Sequence, residues 1–241
     1  MSISRILFAT PLCTLALVAV AATATPAAAT APARADWSKN IVAAPAGGVL
    51  IGNPDAPNKL VEYISYTCPH CAHFADESAK PLASGFIADG STSVEIRPYL
   101  RTTIDYAISL AVTCGTPEQV FGNHAAVLAA QPDWLVRLES ASPERQAQWD
   151  AAGATGGMAM VIADSGLQPL LARRGIDAEQ LSACLADGAK LQAIADSTNY
   201  ASHVTGVEGT PSFTLNGHLL YDVFDWAGVR SALIAARSAH N

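Results

Sequence analysis

Cys68 and Cys71, with Pro69 and His70 between them, are the residues whose types and spacing most directly offer chemistry. Two cysteines at this spacing can face each other across one helical turn and close a short disulfide, with the first at the helix N-terminus. The unpaired N–H groups and the positive end of the helix dipole stabilise a thiolate there, lowering a pKa that is ~8.5 in free cysteine to ~3.5 at the extreme. A shift of ~5 units at ~1.36 kcal/mol each favours the anion by about 7 kcal/mol. Whatever stabilises that thiolate stabilises the dithiol form and makes the disulfide more oxidising, by about 30 mV for each ~1.4 kcal/mol. Pro69 fixes φ in the first turn and His70 adds a positive or polarisable neighbour, so the middle pair tunes the site.

Other uses of the motif fit less well. Haem attachment needs a histidine directly after the second cysteine, and Ala72 stands there. A zinc half-site needs a second pair at ligand spacing; Cys114 and Cys184 are isolated and His73 reads as a surface helix residue, so no metal is expected. A purely structural disulfide would close too tight a loop to remove much unfolded-chain entropy. No serine-nucleophile elbow, phosphate loop or helical metalloprotease motif competes. The glycines from Gly153 to Gly157 follow no strand and lack nucleotide-binding spacing, so they read as a loop.

The elements that must position the cysteines can be read from periodicity and punctuation. Val49–Ile51, Leu60–Tyr66 and Val94–Leu100 are apolar or β-branched runs bounded by Gly, Pro and Asn, and read as strands. Between the last two, Pro69–Ala83 has helical spacing, with Cys71, Phe74, Ala75, Ser78 and Leu82 on one stripe. Strand signals then vanish from Thr103 to about Ala189, where Thr116-Pro117-Glu118-Gln119, Ser142-Pro143-Glu144 and Asp177-Ala178-Glu179-Gln180 mark helix starts. Lys190–His203 is a further helix. Pro211–Leu215 and His218–Tyr221 flank the hairpin signal Asn216-Gly217, and Asp225 caps a last helix carrying Trp226, Val229, Leu233 and Ile234 on one face.

Composition bounds the remaining classes. The chain has 241 residues, half of them hydrophobic, with a formal charge of −7, so it is globular and poorly suited to neutralising nucleic-acid phosphates. Residues 1–35 read as a secretory signal: Arg5, an apolar stretch from Ile6 to Ala22, then small residues with cleavable sites at Ala29 and Ala35. Removing them discards Cys13, Arg5 and Arg34, which leaves four cysteines in a chain bound for an oxidising compartment. Residues 36–48 read as a flexible lead-in, 49–102 as the first part of the catalytic domain, 103–189 as an inserted helical subdomain and 190–241 as the second part.

At this point a resemblance becomes specific. Glu62-Tyr63-Ile64-Ser65-Tyr66-Thr67-Cys68-Pro69-His70-Cys71 followed by Phe74 resembles the active-site strand and helix of the DsbA family, including an acidic residue six before the first cysteine. Gly209-Thr210-Pro211 resembles its cis-proline loop, and Gly52-Asn53-Pro54-Asp55-Ala56-Pro57 a segment common in the Gram-positive-type and alphaproteobacterial branches, which include BdbD. The likeness runs from about Val49 to the C-terminus and is weakest in the helical block. It implies an α/β thioredoxin fold with an inserted helical subdomain, and a periplasmic oxidoreductase with no cofactor beyond the Cys68–Cys71 disulfide. By the same resemblance, a client thiolate attacks Cys68 to give a mixed disulfide, Glu62 exchanges a proton with Cys71, and Thr210 and Pro211 hold an extended client.

The resemblance also implies partners: unfolded or reduced exported proteins as clients, and a membrane quinone-linked oxidase of the DsbB or VKOR type for reoxidation. Helical cysteines in some branches pair, so Cys114 and Cys184 are expected either to form a second, structural disulfide worth roughly 4 kcal/mol or to remain buried thiols. Thr210 is a departure, since Val stands there in the best-known enterobacterial DsbA and Thr in isomerase-type relatives. Those isomerases carry a separate dimerisation domain, for which residues 36–48 are too short. The expectation is therefore a monomeric oxidase, with a reductase or isomerase, or a non-catalytic periplasmic peptide-binding chaperone, as alternatives.

Overall fold

A computed structural model describes residues 35–239; the expected signal segment, Ala35 apart, lies outside them. Six strands, β1 (Ile41–Ala43), β2 (Val49–Gly52), β3 (Asn58–Ile64), β4 (Thr92–Pro98), β5 (Ser212–Leu215) and β6 (His218–Leu219), form one sheet in the order β1-β2-β4-β3-β5-β6. β3 and β4 are parallel and joined by α1 (Pro69–Leu82); the other neighbouring pairs are antiparallel. The β5–β6 turn has Asn216 and Gly217 at φ of 53° and 83°, the two positive values that a two-residue hairpin requires. Asn216 also ties the hairpin to β3, its Oδ1 accepting from Lys59 N at 2.8 Å.

Alternation along β3 divides the molecule. Leu60, Glu62 and Ile64 occupy one face of the strand, and Val61 and Tyr63 the other. On the first face α1 buries Cys71, Phe74, Ser78 and Leu82, the stripe that a period of 3.6 places together. Phe74 meets Phe213 of β5 with ring centroids 4.6 Å apart, and each such buried ring contributes about 2–3 kcal/mol. α10 (Trp226–Ala239) adds Val229 and Leu233 to the same core. On the other face Tyr63, Tyr99, Ala201 and Val207 form a smaller cluster.

The intervening block consists of α2 (Thr103–Val112), α3 (Pro117–Ala129), α4 (Gln131–Glu139), α5 (Pro143–Ala151), α6 (Gly153–Ser165), α7 (Gln168–Arg173) and α8 (Ala178–Leu185), leading into α9 (Gly188–Tyr200). Its starts follow the local chemistry. Thr116 and Gln119 form a reciprocal capping box, while Ser142 and Asp177 accept from Arg145 N and Gln180 N. Among the described residues no helix is long and apolar enough to cross a membrane.

Two expectations need correction. Residues 36–48 are not a flexible lead-in: Ile41, Val42 and Ala43 pair with Ile51, Leu50 and Val49 as an edge strand. Trp37 anchors the segment, its N–H donating to Ala88 O at 3.2 Å and its indole lying over Gly90, where a Cβ would come within 2.7 Å. Gly153–Gly157 is not a loop but the first turns of α6. Gly153, at φ 71°, makes the corner after α5, and Gly157 lies so near Trp149 O that a Cβ would stand 2.3 Å away. Gly153 serves the turn and Gly157 the close approach of α5 and α6, a requirement set by a neighbouring element rather than by local propensity.

Candidate active site

The site begins where β3 ends. Residues 65–67 turn out of the sheet, Cys68 is the N-cap of α1 in an extended conformation (φ −91°, ψ 116°), and Pro69 occupies the first helical turn, where a missing N–H costs nothing. Cys71 falls one turn in and is fully buried; Pro69 and His70 are exposed. Because β5 is antiparallel to β3, with Ser212 opposite Tyr63, the start of β5 lies at the same end of the sheet. The Thr210–Pro211 peptide just before it is cis. The Cys68 thiol accordingly donates to Thr210 O at 3.1 Å, across 142 residues of sequence.

Both cysteines are free thiols here, and their surroundings push them in opposite directions. The Cys68 pKa is lowered to about 4, first by the Cys71 thiol acting as donor, then by the Thr210 hydroxyl and the N–H groups of Cys71 and His70, against the opposing effect of burial. The Thr210 hydroxyl is buried with no partner while the sulfur is protonated, and it is positioned to donate once the anion forms. Cys71 is raised well above the usual thiol range, by burial first and then by its hydrogen bond to Cys68 and the charge there. One sulfur can therefore exist as an anion at neutral pH and the other must carry its proton.

Glu62 lies in the α1-facing row of β3, with Ile96 and Phe213 beside it on the neighbouring strands. Burial raises its pKa to about 8, so the carboxyl is protonated at pH 7, and its charged form in turn raises Cys71. It borders a cavity of about 350 Å³ between α1 and α3. His73, by contrast, is exposed and pairs with Glu77 at 3.2 Å, one turn along α1. Among the described residues no group of His, Cys, Asp or Glu is placed to hold a metal ion.

Away from this pair, the structure joins Cys114, just after α2, to Cys184 in α8, with Cα atoms 5.7 Å apart. Several residues that sequence reading passes over also converge on the loop that leads into Cys68. Asp105 accepts from Ser65 Oγ at 2.9 Å and Thr67 N at 3.2 Å, and Gln131 donates to Tyr66 O at 2.6 Å and Cys68 O at 3.0 Å. The buried Tyr66 hydroxyl lies 3.3 Å from His124 Nδ1. The only local sign of any of these is Thr102-x-x-Asp105, the spacing of a capping box, which the structure contains.

A family model described as thioredoxin matches residues 45–235, and the chain belongs to that family. A crystal structure of protein-disulfide isomerase from Novosphingobium aromaticivorans is 34% identical, with a TM-score of 0.73, covering 77% of this chain and 95% of that one. Alpha-DsbA1 of Wolbachia pipientis is 18% identical with a TM-score of 0.61, covering 79% and 90%, a likeness of fold. BdbD from Bacillus subtilis, at 17% and 0.57 over 82% and 98%, shares it. The fold is thus the thioredoxin fold of DsbA-type structures. A Rickettsia bellii protein named among the protein-disulfide oxidoreductases is 26% identical over 170 residues, which are 70% of this chain and 57% of that protein. The chain therefore spans little more than half the length of that curated relative.

Proposed function

We propose that this protein is an exported, periplasmic thiol-disulfide oxidoreductase of DsbA type that donates a Cys68–Cys71 disulfide to reduced clients. The observation that carries the reading is the placement of Cys68 at the head of α1, with its sulfur 3.1 Å from Thr210 O and its pKa lowered to about 4. A client thiolate attacks Cys68 Sγ, the Cys68–Cys71 bond breaks, and its electron pair goes to Cys71. That sulfur cannot remain an anion in its buried position, so it takes the proton of Glu62, which is protonated up to about pH 8. A second client thiolate attacks the client sulfur of the mixed disulfide and expels the Cys68 thiolate. The client loses two electrons and the protein gains them.

Thr210 and Pro211 lie where they can hold the client, because they directly precede β5 and the Thr210 carbonyl stands beside Cys68. The reduced protein would return to the disulfide form at a membrane quinone-linked oxidase of the DsbB or VKOR type, and it acts as a monomer. The Cys114–Cys184 bond is structural in this scheme. Two observations favour running the same site as a reductase or isomerase: Thr210 itself, and the isomerase name of the relative from Novosphingobium.

The test is a glutathione titration paired with oxidation of a reduced peptide by wild type and by Cys68→Ser. A donor has a potential well above that of structural disulfides, which lie below about −300 mV, and C68S is inactive. A low potential with retained exchange supports the reductase. Activity in C68S, or a Cys68 that titrates like a free thiol, ends the donor reading and leaves a peptide-binding chaperone.

A further inference from the structure

We infer that Gln131, on the inserted helical block, is a positioning residue for Cys68, acting with Asp105 as a two-sided clamp on the backbone that presents the sulfur. The inference rests on the redox reading of Cys68. Three successive peptide units lead into α1, and each has a polar end held. The unit between Tyr66 and Thr67 is held at both ends, its carbonyl accepting from Gln131 Nε2 at 2.6 Å and its N–H donating to Asp105 Oδ1 at 3.2 Å. In the next unit, Cys68 N donates to Ser65 O at 3.2 Å. In the third, Cys68 O accepts from Gln131 Nε2 at 3.0 Å and also from the first-turn N–H groups of Cys71 and Ala72 at 3.1 and 3.3 Å.

The chemistry of the two clamping groups is complementary. A primary amide has two N–H donors on one nitrogen, and Gln131 spends both on carbonyls two residues apart. A carboxylate accepts only, and Asp105 takes up the donors of the same loop: Ser65 Oγ, Thr67 N and Thr67 Oγ1. Its remaining capacity goes to Arg101 N, Thr102 N and Thr102 Oγ1 at the start of α2. Gln131 and Asp105 are both almost wholly buried, so neither loop carbonyl nor loop N–H has water as a substitute partner. Gln131 opens α4 and Asp105 lies in the first turn of α2, so the insert grips the loop through two separate helices.

What this grip controls is aim. The N–H groups of His70 and Cys71 act on the Cys68 anion only if the N-cap residue keeps its φ and ψ, because hydrogen bonds weaken steeply with angle. A loop free to rotate about Cys68 would keep the helix and lose part of its hold on the sulfur. Gln131 is buried and its hydrogen bonds go to backbone carbonyls rather than to the sulfur, so it acts through the geometry of Cys68.

The experiment compares Gln131→Met, which keeps the shape and removes both donors, and Gln131→Asn, which keeps the amide but shortens its reach, in the full chain. Gln146→Met, at an exposed position of the same insert, is the control. Thiolate absorbance of Cys68 is followed against pH, and the potential is measured against glutathione. In Q131M the Cys68 midpoint rises by about one unit, a tenfold loss of thiolate below it, and the potential falls by ~30 mV. Q131N lies between wild type and Q131M, and Q146M is unchanged. If Q131M is poorly folded, Q131N decides. Q131 variants that titrate as wild type, whatever their stability, overturn the inference; an unshifted wild type overturns the redox reading instead.

Discussion

The molecule holds two pairs of cysteines, and they differ in what surrounds the sulfur. At the head of α1, Cys68 meets donors: the Cys71 thiol, the Thr210 hydroxyl and the first N–H groups of the helix. In the helical block, Cys114 is as deeply buried, and its sulfur lies beside a carbonyl, Gln180 O at 3.6 Å. Cys68 has a carbonyl beside it as well, Thr210 O at 3.1 Å, so what sets it apart is the group of donors, which welcome an anion that a carbonyl alone would repel. A disulfide next to the first environment gains by being reduced, because reduction yields a stabilised thiolate. One next to the second would yield one buried and one half-buried thiol, with no such set of donors at Cys114. On the proposed function the same bond is a reagent in one region and a staple in the other, and burial alone does not distinguish them.

The sharpest way to break this contrast is to remove the largest donor. In Cys71→Ala the Cys68 midpoint should climb from about 4 by about two units, and on mixing with a disulfide-bonded client the Cys68 thiolate should attack that bond, expel a client thiolate and leave a mixed disulfide that accumulates for want of an internal resolving thiol. Iodoacetamide alkylation against pH reads the first and non-reducing gels the second. An unmoved midpoint would mean that the helix end, not the partner sulfur, dominates. Next, replacing Cys114 and Cys184 together by Ala should lower unfolding stability by roughly 4 kcal/mol, the loop-closure value for a separation of 70 residues, with no change in the Cys68 titration. A shifted Cys68 in that double variant would show the two regions to be coupled, against the division drawn above.

Glu62 supplies a prediction with a pH sign. Its folded pKa of about 8 lies above the unfolded value near 4.3, so the folded state holds a proton that the unfolded state has released between those limits. The cost is absent at pH 4, builds through neutrality and is complete above about pH 8. Glu62→Gln should therefore be more stable than wild type by on the order of 5 kcal/mol at pH 8.5 and little different at pH 4.5, by urea unfolding. The same variant should slow disulfide exchange, because Cys71 loses its proton source. Stabilisation without slower exchange would leave Glu62 as a buried acid and nothing more. The smallest effect is expected at Thr210→Val, which removes one donor from the anion and should raise Cys68 by about one unit, equivalent to a single hydrogen bond to a charge.

Much of the architecture was legible because its signals are local. Pro69 after Cys68, the Thr116 and Asp177 caps, and Asn216-Gly217 each act within a few residues, and the elements they imply form at those places. The two misreadings share a cause. Nothing within residues 36–48 says that β2 will offer an edge to Ile41–Ala43, and nothing within Gly153–Gly157 says that α5 will press against α6. Asp105 and Gln131 escaped notice for the same reason, since their partners lie 38 to 65 residues away. In each case a distant element sets the requirement.

The order of residues by itself determined that Cys68 would sit at a helix head with Cys71 one turn behind it, because helix geometry and proline at the first turn are properties of short segments. It also determined that Glu62 would lie in a strand whose neighbours in sequence are apolar. Only the tertiary structure decided that β5 would bring Thr210 to the sulfur, that Ile96 and Phe213 would keep water from Glu62, and that two helices of the insert would hold the loop. Those are contacts between segments far apart in the chain, and their strength depends on what else has been excluded from the space between them.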